Sequence, residues 1–255
     1  MIKFLKRLFV RLLMISSVGF LLVILTVISP TLLYGHETEV GEVTIRHEQP
    51  LPTGFVTLLE EAMVLVRNSE LYDPTFSIQL CLSDGSRYPE LIGKLKGEGF
   101  GHGFYNIALV SSKVNVKANL ATLNGYNWNL KELIVHEILH TYQYNRYGFK
   151  TINFDQWKIE GYPEYISRRS KLPLAIEIER LIEHNGHKPI ETWTWVNEED
   201  ESGVSLDYLK NHLLVRYMLE EEKMTYDQLL TDTRSKEHVV DQMMNWYNIQ
   251  INRVE

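Results

Sequence analysis

The sequence is poor in the features that mark several common classes of protein. It has a single cysteine, Cys81, so no disulfide can form within the chain, and the apolar run FSIQLCL around it indicates a packed core thiol. Basic clusters are absent beyond the extreme N-terminus and the net charge is −7, which argues against a nucleic-acid partner. Internal repeats and low-complexity tracts are also absent. The 255 residues, 44% of them apolar, therefore suit one globular domain with an appendage.

The appendage is an apolar N-terminal stretch. Residues 12–33 carry no charge, and a helix needs about 20 residues to cross a bilayer. Basic residues precede this stretch and none follows soon after, which places the N-terminus in the cytoplasm and the rest outside (Lys3, Lys6, Arg7, Arg11). We interpret residues 1–35 as an uncleaved single-pass signal anchor. The alternative is a cleaved signal peptide, which would give a secreted protein, but its apolar core is usually about 7–15 residues and ends in a small-x-small site.

The rest of the chain divides into a linker and a folded domain. Residues 36–52 are predicted to be a polar linker with one short strand at Val43–Arg46, and residues 53–255 to form the domain. Helical and strand-like periodicities alternate before residue 130, whereas helical periodicity dominates after it. The expected fold class is therefore α+β, with a small mixed α/β half followed by a helical half.

The mixed half is predicted from apolar periodicity and turn residues. The pattern predicts a helix over about 54–72, a strand at Phe76–Leu82, a short helix near Pro89–Lys96 and a strand at Tyr105–Val110. The glycines of GEGFGHGF indicate a loop before that last strand. His102 lies in this loop and is a candidate substrate-facing residue, although a loop histidine between glycines is more often simply exposed.

One stretch carries a chemical motif. Residues 130–147 read LKELIVHEILHTYQYNRY, with His136, Glu137 and His140 in the order His-Glu-x-x-His. The apolar spacing is helical, Asn129 is a suitable N-cap, and Gly148 is the expected stop signal. Residues four apart on a helix share one face, so both imidazoles can bind one zinc ion with the glutamate beside its bound water.

A third zinc ligand is needed, because catalytic zinc takes three protein ligands and keeps one position open. The downstream segment WKIEGYPEYIS, residues 157–167, is predicted to be a second helix with Glu160 near its start. Packed across the first helix, it would supply that ligand. The alternative is that the two histidines are ordinary polar residues on a half-buried helix, since short motifs also arise by chance.

These two motifs resemble those of the gluzincin clan of zinc metallopeptidases, the group of thermolysin and the membrane-alanyl-type aminopeptidases. Nineteen residues separate His140 from Glu160, as in the thermolysin-like pattern, whereas the wording Trp-x-x-Glu-Gly-x-x-Glu-Tyr is closer to the aminopeptidase branch. The resemblance implies a zincin-like fold, with Glu164 orienting the first histidine. The metzincin alternative requires glycine and histidine where this chain has Gln143 and Arg146.

The resemblance also implies a hydrogen-bond donor for the oxyanion on a later helix. Tyr208, at the head of the segment DYLKNHLLVRYML, resembles the tyrosine of the aminopeptidase branch, and His212 is a weaker candidate. Tyrosine is also a common packing residue, so a purely structural role for Tyr208 is the alternative. A Gly-Ala-Met-Glu-Asn-like exopeptidase motif is absent, so an aminopeptidase mode lacks support.

The implied activity is zinc-dependent hydrolysis of peptide bonds, with Glu137 as general base and Tyr208 assisting the oxyanion. The substrate would be a peptide or protein, paired along the strand Tyr105–Val110 as a sheet edge. Two alternatives stay open. One is a degenerate zincin-fold scaffold at the membrane, and the other is a zinc amidase acting on cell-wall peptides.

Overall fold

The computed structural model describes residues 2–168, 172–185, 195–197 and 201–252. Its helices are α1 (Ile2–Ile28), α2 (Phe55–Arg67), α3 (Tyr88–Lys96), α4 (Leu130–Tyr147), α5 (Gln156–Arg168), α6 (Leu174–Asn185), α7 (Leu206–Glu220), α8 (Tyr226–Thr231) and α9 (Lys236–Ile251). Its strands are β1 (His36–Val40), β2 (Val43–His47), β3 (Ile78–Leu82), β4 (Gly101–Phe104), β5 (Ile107–Val110), β6 (Lys113–Asn115), β7 (Leu120–Leu123), β8 (Tyr126–Asn129), β9 (Trp195–Asn197) and β10 (Gly203–Ser205). This mixed α+β composition agrees with the predicted class.

Helix α1 is apolar and long enough to span a membrane, as expected. Its span, Arg11–Ile28, has no buried residues within the structure. A signal sequence near the N-terminus would have the same length and composition, so these two properties alone do not distinguish an anchor from a signal sequence.

The main sheet has five strands in the order β1-β2-β3-β5-β4. Strands β2, β3 and β5 run parallel, and β1 and β4 pair antiparallel at the two edges. The central strands IQLCL and IALV are continuous apolar runs, which are typical of strands covered on both faces. Alternate residues of these strands accordingly enter two cores. Ile78, Leu80 and Ala108 belong to the main core with α2 and α4, whereas Cys81, Ile107 and Leu109 belong to a second core with α3.

Three expectations about this half differ from the structure. Residues 36–52 contribute β1 and β2 to the sheet instead of forming a linker, and the expected strand at Val43–Arg46 is β2. The glycine-rich segment expected as a loop forms β4. The segment Tyr105–Val110, expected as the sheet edge, contains β5, which pairs with β3 on one side and with β4 on the other. The edge strand is therefore β4.

The motif helix α4 lies between the sheet and the helical half. A second sheet, β6-β7-β8, leads directly into it, because the last residue of β8 is the N-cap of α4. Helix α5 packs across α4 and against α7. A Cβ on Gly161 of α5 would lie 2.6 Å from the carbonyl oxygen of Asn211, so this glycine permits the close approach of α5 and α7. Besides its helices, this half contains the short β9–β10 ribbon.

Strand β4 lies directly on α4 because its glycines have no side chains. A Cβ on Gly103 would lie 2.4 Å from both the carbonyl oxygen of Glu137 and the Cβ of His140, and a Cβ on Gly101 would lie 2.7 Å from the Glu137 side chain. Side chains alternate along a strand, so His102 and Phe104 point to the opposite face. The glycines that suggested a loop thus serve close packing of the edge strand on the motif helix.

We expect Gly103→Ala to destabilise the protein, because neither atom that its Cβ would meet is the end of a flexible side chain. Overpacking of this kind costs roughly 2–3 kcal/mol, which lowers the melting temperature by roughly 5–10 °C. Thermal unfolding of the full chain in detergent, followed by circular dichroism, measures this. Gly93→Ala in α3 is the control, since its Cβ meets nothing within 4 Å and alanine favours the helix. Equal melting temperatures for the two variants would contradict the close packing.

Candidate metal centre

The motif helix forms as predicted and is buried on most sides. The side-chain oxygen of Asn129 accepts a hydrogen bond from the N–H of Glu132 at 3.2 Å, and Gly148 ends the helix with a φ of 57°. Strands β4 and β5 and helices α2 and α5 pack around it. The ionisable side chains of the motif consequently lie inside the protein, where an uncompensated charge is costly.

The predicted convergence of His136, His140 and Glu160 is confirmed. The two Nε2 atoms lie 3.0 Å apart, and each lies 3.3 Å from Oε2 of Glu160. Three tetrahedral zinc ligands at about 2.0–2.1 Å from the ion would be separated from one another by about 3.3–3.4 Å. The three ligand atoms therefore already have nearly the spacing that a zinc ion requires, and helix α5 supplies the third ligand as expected.

The outer nitrogens of both imidazoles face acceptors, which leaves lone pairs on the inner nitrogens. Nδ1 of His140 donates to Oε1 of Gln143 at 2.7 Å, and Nδ1 of His136 faces Oε1 of Glu164 at 2.7 Å in a bent ion-pair contact. If both imidazoles are neutral, each Nε2 atom is unprotonated and turned toward the other. Two such lone pairs at 3.0 Å repel each other unless a proton or a metal ion lies between them, so the donor set fits a divalent metal.

The pKa shifts of the site also favour a bound cation. Burial opposes charge on His136, but Glu160 and Glu164 outweigh it and raise the pKa of this histidine to about 10. Burial likewise opposes charge on Glu160, yet the two histidines hold its pKa well below the usual range. Without a metal, a proton on His136 would balance these carboxylates. Two imidazoles and one carboxylate suit zinc among the common divalent ions.

Glu164 is fully buried and stays anionic. Burial raises its pKa, but Arg168 and His136 more than compensate and lower it to about 2. Nε of Arg168 donates to Oε2 of Glu164 at 2.7 Å, while Oε1 of the same carboxylate faces His136. The resemblance-based expectation that Glu164 contacts the first histidine is thus matched by the geometry, with glutamate where thermolysin-like enzymes have aspartate.

Gln143 connects the second histidine to the third ligand. Its Nε2 donates to the carbonyl of Ile159 at 2.8 Å and to Oη of Tyr226 at 2.7 Å, which leaves Oε1 to accept from His140. The Ile159 carbonyl is free for this bond because Pro163, four residues later in α5, has no N–H to donate. One buried amide therefore orients His140 and holds the backbone immediately before Glu160.

Glu137 lies beside the three ligands and beneath the edge strand. Its side chain is buried, and its carboxylate is close enough to Gly101 that a Cβ there would meet Oε1 at 2.7 Å. Burial raises the pKa of Glu137, while the neighbouring His136 and His140 oppose that rise. Within the described residues no hydrogen bond engages this carboxylate. A buried carboxylate without a hydrogen bond from the described residues thus lies beside the three candidate ligands.

Of the three other candidate residues from the sequence, only one lies at the ligand cluster. Tyr208, in the first turn of α7, lies at the site: its ring is 5.6 Å from that of His136, and burial together with Glu160 raises its pKa well above the usual value. His212 is buried on the same helix, where Nε2 faces Glu177 at 3.3 Å. His102 is half-buried on the face of β4 opposite α4, so it is neither an exposed loop residue nor part of the ligand cluster.

The sequence reasoning missed two residues of this region. Gln143 was considered only as a residue that does not fit the metzincin pattern. A polar residue on the buried face of the motif helix could have indicated a hydrogen-bond partner for one of the ligands. Lys96 gave no signal. Its Nζ lies 4.7 Å above the Phe104 ring, and partial desolvation lowers its pKa while the charges of Glu137 and Glu160 oppose that change.

No family model, curated protein or solved structure matches this chain. Its function must therefore be argued from the geometry and electrostatics of the ligand cluster and from the residues around it.

We expect Gln143→Leu to weaken zinc binding by roughly 10–100-fold, because the change removes the acceptor that orients His140 and the donor to the Ile159 carbonyl. Competition with a fluorescent zinc chelator measures the affinity of the full chain. Thr141→Val is the matched control, since Thr141 is buried on the same helix and its hydroxyl bonds only the Ile138 carbonyl. Wild-type zinc affinity in Gln143→Leu would show that the amide does not position His140.

Proposed function

We propose that this chain is a membrane-anchored zinc metallopeptidase of the gluzincin type, hydrolysing peptide bonds outside the cytoplasm. The observation that carries the proposal is the convergence of His136, His140 and Glu160 at zinc-ligand spacing, with Glu137 beside them. Three ligands leave a fourth position for water, and an adjacent carboxylate is the remaining requirement for metal-assisted hydrolysis.

Each nearby side chain has a role in this proposal. Bound zinc would polarise the scissile carbonyl and lower the pKa of a water ligand toward neutrality. Glu137 accepts the proton of the attacking water and later passes it to the leaving amine, and its raised pKa brings it closer to the range of an effective base near pH 7. Tyr208 stays protonated because its pKa is raised, so its hydroxyl can donate a hydrogen bond to the developing oxyanion.

An extended substrate would pair with β4, which replaces the segment Tyr105–Val110 in this role. The β4–β5 hairpin has a two-residue loop, so the pair of residues that flanks the loop, Phe104 and Ile107, exchanges backbone hydrogen bonds. Along the two strands, hydrogen-bonded pairs then alternate with pairs that are not hydrogen-bonded. The N–H and C=O groups of Gly101 and Gly103 then point to the open edge. A peptide strand added there would lie beside the strand that packs on Glu137 and His140.

Two observations bear on the alternatives. The degenerate-scaffold alternative is disfavoured because all four motif residues and their orienting partners Glu164 and Gln143 are present and in contact. The amidase alternative uses the same chemistry on cell-wall peptides and differs from the proposal only in substrate. The open backbone groups of β4 favour a peptide in extended conformation, because they bind main chain irrespective of its side chains.

We expect Glu137→Gln to retain zinc and lose activity. The amide keeps the size of the side chain but cannot accept a proton, so turnover should fall by roughly 10²–10⁴-fold with zinc affinity nearly unchanged. Digestion of a peptide library, analysed by mass spectrometry, and metal analysis of the same preparation give both values. Glu61→Gln is the control, because Glu61 is an exposed partner of Lys131 on α2.

The same experiment separates the competing functions. Near-normal activity in Glu137→Gln would remove Glu137 as the base. A wild-type protein that binds zinc tightly but cleaves neither the library nor cell-wall peptides would favour the scaffold, and cleavage of cell-wall peptides alone would favour the amidase.

A further inference from the structure

The second core lies on the face of the main sheet opposite the metal centre. It consists of buried residues from β3, β5 and α3, namely Cys81, Tyr88, Ile92, Ile107 and Leu109. Half-buried apolar residues pack against it from the chain N-terminal to β1, namely Val27, Leu33 and Tyr34, and from the edge strand, namely Phe104. The cover of this core therefore includes the end of α1 and the 3₁₀ helix at Pro30–Leu33 that follows it.

Hydrogen bonds hold the same segment in place. Oη of Tyr88 donates to the carbonyl of Val27 at 2.6 Å, and Oγ of Ser86 donates to the carbonyl of Leu33 at 2.7 Å. In the opposite direction, Oη of Tyr34 donates to the carbonyl of Leu82 at 3.0 Å. These bonds join residues 48 to 61 positions apart in sequence, so they are tertiary contacts of the domain.

The contacts begin where the apolar span ends. Residues 11–25 are all exposed, whereas Val27 is half-buried and Pro30 is buried. The packing is specific to individual residues. Leu33 packs against the second core, whereas its neighbour Leu32 is 82% exposed. Most of helix α1 thus exposes an apolar surface suited to lipid, whereas its C-terminal end packs against the domain.

We infer that α1 is a retained membrane anchor whose outer end, residues 27–34, is built into the folded domain as the cover of the second core. A chain processed after residue 35 would expose that core and would leave the hydroxyls of Tyr88 and Ser86 without their acceptors. The anchor meets the domain without a flexible linker, since β1 begins at His36. This inference concerns the anchor and is independent of the proposed peptidase activity.

The first test is the fate of the N-terminal segment. The full chain with a C-terminal tag is expressed in a bacterium, its membranes are washed with alkaline carbonate, and the intact mass of the purified protein is measured. We expect the protein to remain in the membrane with residues 1–35 attached. A released protein whose N-terminus lies at or beyond residue 35 would overturn the inference.

The second test asks whether residues 27–34 pack on the folded domain, which is a separate question from whether α1 is retained. Leu33→Ser removes packing against the second core, so the melting temperature of the full chain in detergent should fall by roughly 4–8 °C. Leu32→Ser makes the same chemical change at an exposed neighbouring residue and should shift it by about 1 °C or less. Equal melting temperatures would show that residues 27–34 are not part of the folded domain, even in a chain that keeps its anchor.

Discussion

The Nε2 atoms of two imidazoles lie 3.0 Å apart and face the same carboxylate oxygen, an arrangement that requires a positive charge, either a proton or a metal ion, at its centre. Inside a protein such an arrangement forms only if surrounding groups hold every member in place. Here Glu164 and Gln143 bind the outer nitrogens of the two histidines, and Gln156 donates to the second oxygen of Glu160 at 2.6 Å. These partners orient the three candidate ligands in the absence of an ion, which would reduce the entropy lost on binding a metal.

Several residues make this arrangement possible because they lack an atom or group that most amino acids have, namely a Cβ or a backbone N–H. Gly103 lacks the Cβ that would separate β4 from the motif helix, and Gly161 lacks the one that would separate α5 from α7. Pro163 lacks the N–H that would occupy the Ile159 carbonyl, and so leaves that carbonyl to the Gln143 amide. Each absence allows two elements to approach or to bond where an ordinary residue would keep them apart.

The local parts of this site were predictable from the sequence, and the long-range parts were not. The motif helix, its N-cap Asn129 and its stop at Gly148 follow from short-range patterns, and Glu160 follows from a known spacing. Strand β4 was predicted as a loop because its glycines act through packing against a helix that begins 26 residues later. Strands β1 and β6–β8 were missed because such short strands depend on partners that no local pattern specifies. The ligands were thus predictable, but the edge strand above them was not.

The main sheet connects the candidate metal centre with the C-terminal end of α1 through a single strand. The backbone of β4 lies on Glu137 and His140 at one face, and at the other face Phe104 packs against the second core, which Val27 and Leu33 also cover. An edge strand has a sheet partner on one side only, so its position depends more than that of a central strand on what covers its faces. The docked end of α1 is one of those covers. The packing that joins the domain to α1 therefore also supports the edge strand that lies on the His-Glu-x-x-His helix.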